Sequence, residues 1–236
     1  MYTFESRIRY SETDSEGKLT IASLINYFQD CSTFQSQDLG LGVEYLREQH
    51  LVWVLSAWQI VVDRYPCLCE KVVTGTQPYD LKGFLGYRNF FMMDEEGRYA
   101  ARANSLWSLL DTVTGRPVNI PGAMKERYGL GERIPMEYAP RKIQVPQEGE
   151  TLEPIVVRRQ HLDTNQHVNN QQFIQMALDC LPENLAPRQV RAEYKRQAFL
   201  GDVMIPRKFR AGETYIVTLE DGERKPYAVV EFILTI

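Results

Sequence analysis

The order of elements in this chain runs twice. A strand-like segment, FESRIRY, leads through a polar turn into a long amphipathic helix. Strand-like blocks follow: around HLVWVLSAWQIVVDRY, then KVVTGTQPYD, GYRNFFMMD and RYAARANSLWSLLD. Their β-branched and aromatic content, with turn signals such as Asp94-Glu95-Glu96-Gly97 between them, predicts a multistranded antiparallel sheet. Ile21, Leu24, Ile25, Phe28, Cys31 and Phe34 recur at three- and four-residue steps, which predicts the helix over residues 20–38 with Gly40 as its stop. The same order then returns as a strand over 155–162, a helix over 170–181 stopped by Pro182, and strands in QVRAEYKRQAF, VMIPRKFRA, TYIVTLED and YAVVEFILTI. An offset of 149 residues lays RYSETDSEGKL on RRQHLDTNQHV, Asp14 on Asp163, and Asp30-Cys31 on Asp179-Cys180.

Between the two copies lies a stretch that holds Pro117, Pro121, Pro135, Pro140, Pro146 and Pro154 with several glycines and little periodicity, and it reads as a connector. The expected division is a first repeat over 1–116, a connector over 117–149 and a second repeat over 150–236. One strand, one long helix and about four further strands is the element order of the hotdog fold, a curved antiparallel sheet wrapped round a central helix. The fold class expected is therefore α+β, a double hotdog. A single copy leaves an edge strand and part of its sheet exposed, so pairing of copies is favoured. Two copies in one chain satisfy that need internally, and a homodimer is left open.

Composition narrows the function classes. The 236 residues carry 27 Lys+Arg against 31 Asp+Glu, a formal net charge of −4, which argues against a dedicated nucleic-acid binder relying on phosphate neutralisation. No stretch approaches the roughly 20 consecutive apolar residues of a membrane span, and the start, MYTFESRIRY, lacks the apolar core of a signal peptide. A cytoplasmic protein is expected. Cys31, Cys67, Cys69 and Cys180 show no paired CxxC spacing of the kind that holds zinc, and free thiols are expected. No cofactor is expected.

The most informative segment is His161-Leu-Asp163-Thr-Asn165-Gln-His167-Val-Asn169-Asn170, where a strand hands over to a helix. Asp163, Asn165 and His167 are spaced by two, which in an extended or gently turning backbone aims all three side chains to one side. The helix N-terminus that follows offers backbone N–H groups suited to a carbonyl oxygen gaining negative charge, and a histidine beside such donors suits a general base. The competing reading makes Asp, Asn and Thr turn and cap residues. Duplication divides the two readings. The first copy keeps the aspartate, Asp14, but has Glu16 and Lys18 where the second has Asn165 and His167. A turn role fits the repeated aspartate, and a site-specific role fits Asn165 and His167.

The sequence NQHVNN at 165–170, the segment EYKRQ at 193–197 and the overall tandem arrangement resemble the acyl-acyl carrier protein (acyl-ACP) thioesterases of plants and bacteria. NQHVNN matches the family's N-x-H-V-N-N, and EYKRQ is similar to its EYRRE. RYSETDSEGKL near the start is also similar to the opening of single-hotdog acyl-CoA thioesterases. The resemblance implies release of a free fatty acid from a fatty acyl thioester on acyl carrier protein. It implies an acyl-pocket role for the first repeat and catalytic roles for Asp163, Asn165 and His167 in the second. Where plant members continue with glutamate, this chain has Gln197-Ala198. A cysteine nucleophile and a carboxylate base are thus both absent there, and water activated by His167, with Gln197 orienting it, is the expected nucleophile. Glu193 shares strand parity with Gln197, but four residues at about 3.3 Å each would leave it some 13 Å away. An acyl-CoA thioesterase and a non-catalytic acyl-binding protein remain as alternatives.

Other groups have structural explanations. His161, Asp163 and His167 have a spacing that could hold a metal, but a zinc site needs closed geometry and a second shell, so none is expected. His50 reads as a surface or boundary residue, Cys67 and Cys69 as small apolar fillers beside a proline, and Trp53, Trp58 and Trp107 as core or as the lining of an acyl tunnel. Lys195-Arg196, Arg207-Lys208 and Arg210 form either a solvated face or a patch for an acidic carrier protein.

Overall fold

A computed structural model describes residues 1–183 and 185–234. The predicted long helix is α1, Ile21–Asp38, about 27 Å long at 1.5 Å per residue. Thr20 caps it, its side chain accepting the Ser23 N–H at 3.1 Å. Ile21, Leu24, Ile25, Phe28 and Cys31 are buried as the period requires. Phe34 departs from the expected stripe and is 44% exposed, because two full turns beyond Phe28 fall on Gln35, which is buried instead. Phe34 packs edge-on against Phe4 at 5.4 Å.

The chain divides into two units. The first comprises Met1–Ser56 with Val62–Tyr138. Its antiparallel sheet has strands β1 (Tyr2–Arg7), β2 (Leu51–Val62), β3 (Lys71–Lys82), β4 (Leu85–Met93) and β5 (Tyr99–Asp111), in the order β1-β3-β4-β5-β2. Register runs from Tyr2 opposite Thr76 to Arg7 opposite Lys71. Helix α1 lies on this sheet: the Phe28 and Phe90 rings stand 5.4 Å apart, and Cys31 Sγ points at the Thr74 carbonyl at 3.7 Å. A short helix α2 (Val43–Glu48) follows α1.

The proline-rich stretch is not structureless. It contains helix α3, Gly122–Tyr128, entered directly after Pro121. Proline at a helix entrance loses no intrahelical bond. Met124 and Tyr128 are buried with Leu41, Leu109 and Ile120 in one apolar cluster.

The second unit comprises Ala57–Val61 with Ala139–Ile236, of which Asn184, Thr235 and Ile236 fall outside the described residues. The last two residues of the predicted strand YAVVEFILTI are therefore among those not described. Strands β6 (Glu150–Thr151), β7 (Ile155–Val156), β8 (Pro187–Tyr194), β9 (Val203–Ala211), β10 (Thr214–Glu220) and β11 (Pro226–Leu234) surround helix α4 (Asn170–Leu178) in sequence. Residues 57–61 pair with β8, and the order continues β8-β11-β10-β9-β6, with β7 also on β9. Phe173, Ile174, Met176 and Ala177 bury one face of α4, with Phe173 edge-on to Tyr194 at 5.8 Å. The strand expected over 155–162 is cut to two residues. The chain turns into a 3-10 segment at Arg159–His161, where His161 Nδ1 accepts the Arg158 N–H at 3.0 Å.

Candidate active site

The two units build their helix entrances with the same bonds. In the first unit Asp14 N–H donates to the Lys18 carbonyl at 2.8 Å, and Asp14 Oδ1 accepts the Glu16 and Lys18 N–H groups, each at 2.9 Å. In the second, Asp163 N–H donates to the His167 carbonyl at 2.8 Å, and Asp163 Oδ1 accepts the Asn165 and His167 N–H groups at 2.8 and 3.3 Å. Gly17 and Gln166 occupy the same left-handed position, with φ of 74° and 63°. The turns lead into Thr20 and Asn169, whose N–H groups donate to the Glu12 and His161 carbonyls at 3.0 and 2.9 Å. Each of these pairs differs by 149 in number, so the offset read from sequence is a structural repeat.

Asp163 is thus turned toward its own loop rather than extended beside its neighbours. Asn165 is exposed and His167 half-buried. In the first unit the corresponding side chains neutralise each other, with Lys18 Nζ donating to Glu16 Oε2 at 2.8 Å. In the second, neither the Asn165 amide nor the His167 ring is hydrogen-bonded by any described residue. At the helix start Asn169 Oδ1 accepts the Gln171 N–H at 3.0 Å and the Asn169 carbonyl accepts that of Gln172 at 2.8 Å. These caps take two of the donors that the sequence offered to a developing oxyanion and leave the Asn170 N–H.

A second segment lies against this turn. Strand β8 ends at Tyr194, because the Lys195 and Arg196 N–H groups both converge on the Tyr227 carbonyl, at 2.8 and 3.2 Å, and break the ladder. Gln197 therefore sits in an exposed loop, not in the strand expected from EYKRQ. The Val168 N–H donates to the Ala198 carbonyl at 2.9 Å, and the Phe199 ring stands edge-to-face on His167 at 5.0 Å. Ala198 and Phe199, the two residues after Gln197, are thereby held beside the histidine loop. Glu193 is committed elsewhere. It is buried, accepts the Ile143 N–H at 2.6 Å and pairs with Lys195.

Phe199 escaped the sequence reading. Its counterpart is Cys67: Leu19 N–H donates to the Pro66 carbonyl at 2.8 Å as Val168 does to Ala198, and the Cys67 N–H donates to Glu70 Oε2 as that of Phe199 does to Asp202 Oδ2, at 3.0 and 2.9 Å. The spacing here is 132 residues, so a search at the fixed offset of 149 passes over the pair. By the same match Gln197 corresponds to Tyr65, whose hydroxyl burial pushes to a higher pKa.

The remaining candidates resolve as follows. Cys67 and Cys69 are exposed rather than filling apolar space, since both project from a tight turn in which Cys69 has a φ of 69°. Burial raises the thiol pKa of Cys31 to about 12 and of Cys180 to about 11. His50 is exposed, Trp58 is buried, and Trp53 and Trp107 are half-buried. The basic side chains are engaged: Arg196 with Asp221 at 2.8 Å and over the Tyr227 ring at 4.2 Å, Lys208 with Glu150 at 3.0 Å, Arg207 beside Glu220 at 3.9 Å, and Arg210 over Tyr215 at 5.2 Å. His161, with its pKa lowered by burial and by Arg158, holds the turn before the site.

The model of the acyl-ACP thioesterase N-terminal domain matches residues 1–128, and that of the C-terminal domain matches residues 144–219. A chloroplastic acyl-[acyl-carrier-protein] hydrolase of Cuphea viscosissima is 23% identical over 244 residues, covering 93% of this chain and 55% of its own. A chloroplastic palmitoyl-acyl carrier protein thioesterase of Arabidopsis thaliana is 25% identical, covering 80% and 50%. The chain thus spans about half the length of the curated relatives it matches. Among solved structures, an acyl-ACP thioesterase from Bacteroides thetaiotaomicron superposes with a TM-score of 0.90 at 24% identity over 99% of this chain and 97% of that one. The 12:0-ACP thioesterase from Umbellularia californica gives 0.86 at 19% identity, over 99% and 96%. These likenesses establish the double-hotdog fold.

Proposed function

The chain belongs to the acyl-ACP thioesterase family, and from that premise we propose that it hydrolyses fatty acyl-ACP to free fatty acid, with the chemistry in the Asp163–His167 turn. One observation carries the assignment. This turn is a copy of the Asp14–Lys18 turn in which a self-neutralising Glu16–Lys18 pair has been replaced by an amide and an imidazole left open to a ligand.

In the proposed reaction His167 takes a proton from water as the water oxygen bonds to the thioester carbonyl carbon. The oxyanion so formed is met by the Asn165 amide and the Asn170 N–H. Collapse breaks the carbon–sulfur bond, the imidazolium returns the proton to the departing thiolate, and the products are a fatty acid and the carrier thiol. Gln197 orients the water through an amide that both donates and accepts. Asp163 belongs to the site, and the first repeat, over 1–116, supplies acyl-chain recognition, with 117–149 as the link to the second repeat over 150–236. No cysteine takes part: the thiols of Cys31 and Cys180 have raised pKa values, and the counterpart of the exposed Cys67 beside His167 is Phe199.

Among the described residues no helix is long and apolar enough to cross a membrane. We assign the cytoplasm as compartment, although the plant relatives named above are chloroplastic. The test is release of free thiol from acyl-ACP and acyl-CoA across chain lengths. Faster turnover of acyl-ACP supports the assignment; a preference for CoA moves the substrate, and binding without release makes the protein an acyl binder. Light scattering of the same sample counts chains per particle and decides the homodimer.

A further inference from the structure

Among the described residues the turn that carries Asn165 and His167 occurs four times, twice in each unit: Asp14–Lys18, Asp94–Arg98, Asp163–His167 and Asp221–Lys225. In each, the N–H of the first residue donates to the carbonyl of the fifth, at 2.8, 3.1, 2.8 and 3.0 Å, and the N–H of the fourth donates to the carbonyl of the first, at 3.0, 3.1, 3.1 and 3.0 Å. In each, Oδ1 of the aspartate accepts the N–H groups of the third and fifth residues, over 2.8–3.3 Å. The fourth residue is left-handed throughout: Gly17, Gly97, Gln166 and Arg224, with φ between 63° and 76°.

This scaffold has a fixed consequence for side chains. In three turns the third and fifth residues are Glu with Lys or Arg, and their charged ends meet at 2.8 Å (Glu16–Lys18), 3.1 Å (Glu96–Arg98) and 2.7 Å (Glu223–Lys225). The backbone pattern therefore places side chains three and five within reach of each other. In the fourth turn those places hold Asn165 and His167. The aspartate is common to turns with and without this pair, so it is the part of the motif that does not vary with chemistry. Asp94 and Asp221 also give their second oxygen to arginines, Arg98 at 2.8 Å and Arg196 at 2.8 Å, whereas the Asp163 carboxylate has no arginine partner among the described residues.

We infer that Asp163 is a positioning residue whose contribution is the two hydrogen bonds accepted by Oδ1, which bring the Asn165 amide and the His167 imidazole to one substrate group, and not its negative charge. This rests on the assignment of hydrolysis to the His167 turn, and the two can fail separately. Asn at 163 keeps a carbonyl oxygen as acceptor without charge, Ser keeps a weaker one, and Ala keeps none.

The experiment measures kcat and KM against pH for wild type, Asp163→Asn, Asp163→Ser, Asp163→Ala and His167→Ala on acyl-ACP, with amide NMR shifts of residues 165 and 167. Expected are a kcat for Asp163→Asn within about threefold of wild type with an unmoved pH–rate midpoint, an intermediate value for Ser, and a loss of roughly tenfold or more for Ala with little change in KM. The amide shifts should follow the same order. An Asp163→Asn enzyme that is folded yet loses roughly 10²-fold, or whose pH–rate midpoint moves by about half a unit or more, would show that the charge acts on the imidazole and would overturn the inference while leaving the site in place. If the Asn variant does not fold, Ser against Ala decides: equal losses overturn the inference, and partial rescue by Ser supports it. Wild-type turnover by His167→Ala removes the reaction from this turn and the positioning role with it.

Discussion

In the first unit Lys18 reaches Glu16 at 2.8 Å across a turn held by Asp14; in the second, Asn165 and His167 occupy the same two places in a turn held by Asp163. The facing loops differ in the same sense. Tyr65 and Cys67 stand where the second unit has Gln197 and Phe199, and in the second unit the Phe199 ring abuts the fifth residue of the turn, His167, at 5.0 Å. The backbone hydrogen bonds define the turn itself, which also joins strand to strand at Asp94–Arg98 and Asp221–Lys225, so they persist whatever element follows. The side chains they carry are free to differ. A duplicated fold can therefore keep one entrance as structure and use the other for chemistry, and the use is read in the residues that differ.

Three experiments bear on this contrast. Gln197→Ala should lower kcat about tenfold while changing KM less, as expected for loss of a water-orienting contact made in the transition state. Gln197→Glu should stay active with a shifted pH profile, because a carboxylate beside the loop of His167 favours the imidazolium. Unchanged kcat for Gln197→Ala at every pH would take the residue out of the site. Next, Asp14→Ala should destabilise the protein by about 1 kcal/mol, through loss of an acceptor for two backbone N–H groups, and leave kcat unaltered. Urea unfolding alongside turnover checks this, and a loss of kcat would mean that the first turn also takes part. The smallest effect concerns the thiols. A variant with all four cysteines replaced should keep turnover within a few-fold of wild type, roughly the scatter of conservative changes. In the native protein a thiol reagent should label Cys67 and Cys69 rapidly and spare Cys31 and Cys180, whose pKa values burial raises to about 12 and 11. Trapping an acyl-cysteine by mass spectrometry would contradict attack by water.

Much of this was legible in the sequence where a period or a repeat carried it. Helix α1 begins and ends within a residue of its predicted bounds because its apolar period is strong and Thr20 is a good cap. The offset of 149 located the two turns and pointed to a structural role for the aspartate. Helix α3 was hidden because Pro121 at its entrance reads like the other prolines of a connector, and its seven residues are too few to display a period. The position of Gln197 was misjudged because the strand composition of QVRAEYKRQAF continues past the point where two N–H groups converge on the Tyr227 carbonyl. Phe199 was invisible because the distance between the two facing loops differs from the repeat offset, and only backbone bonds reveal the match. The caps that occupy the Gln171 and Gln172 N–H groups likewise depend on geometry that spacing does not specify.

The most direct measurement of the central claim is hydrolysis of acyl-ACP by wild type, His167→Ala and Lys18→Ala in one assay, with folding verified by circular dichroism. His167→Ala should lower kcat by roughly 10² to 10⁴, the contribution of a general base, while Lys18→Ala should hydrolyse at close to the wild-type rate. Near-wild-type turnover by a folded His167→Ala protein, or a comparable loss in Lys18→Ala, would contradict the assignment of chemistry to the second turn alone.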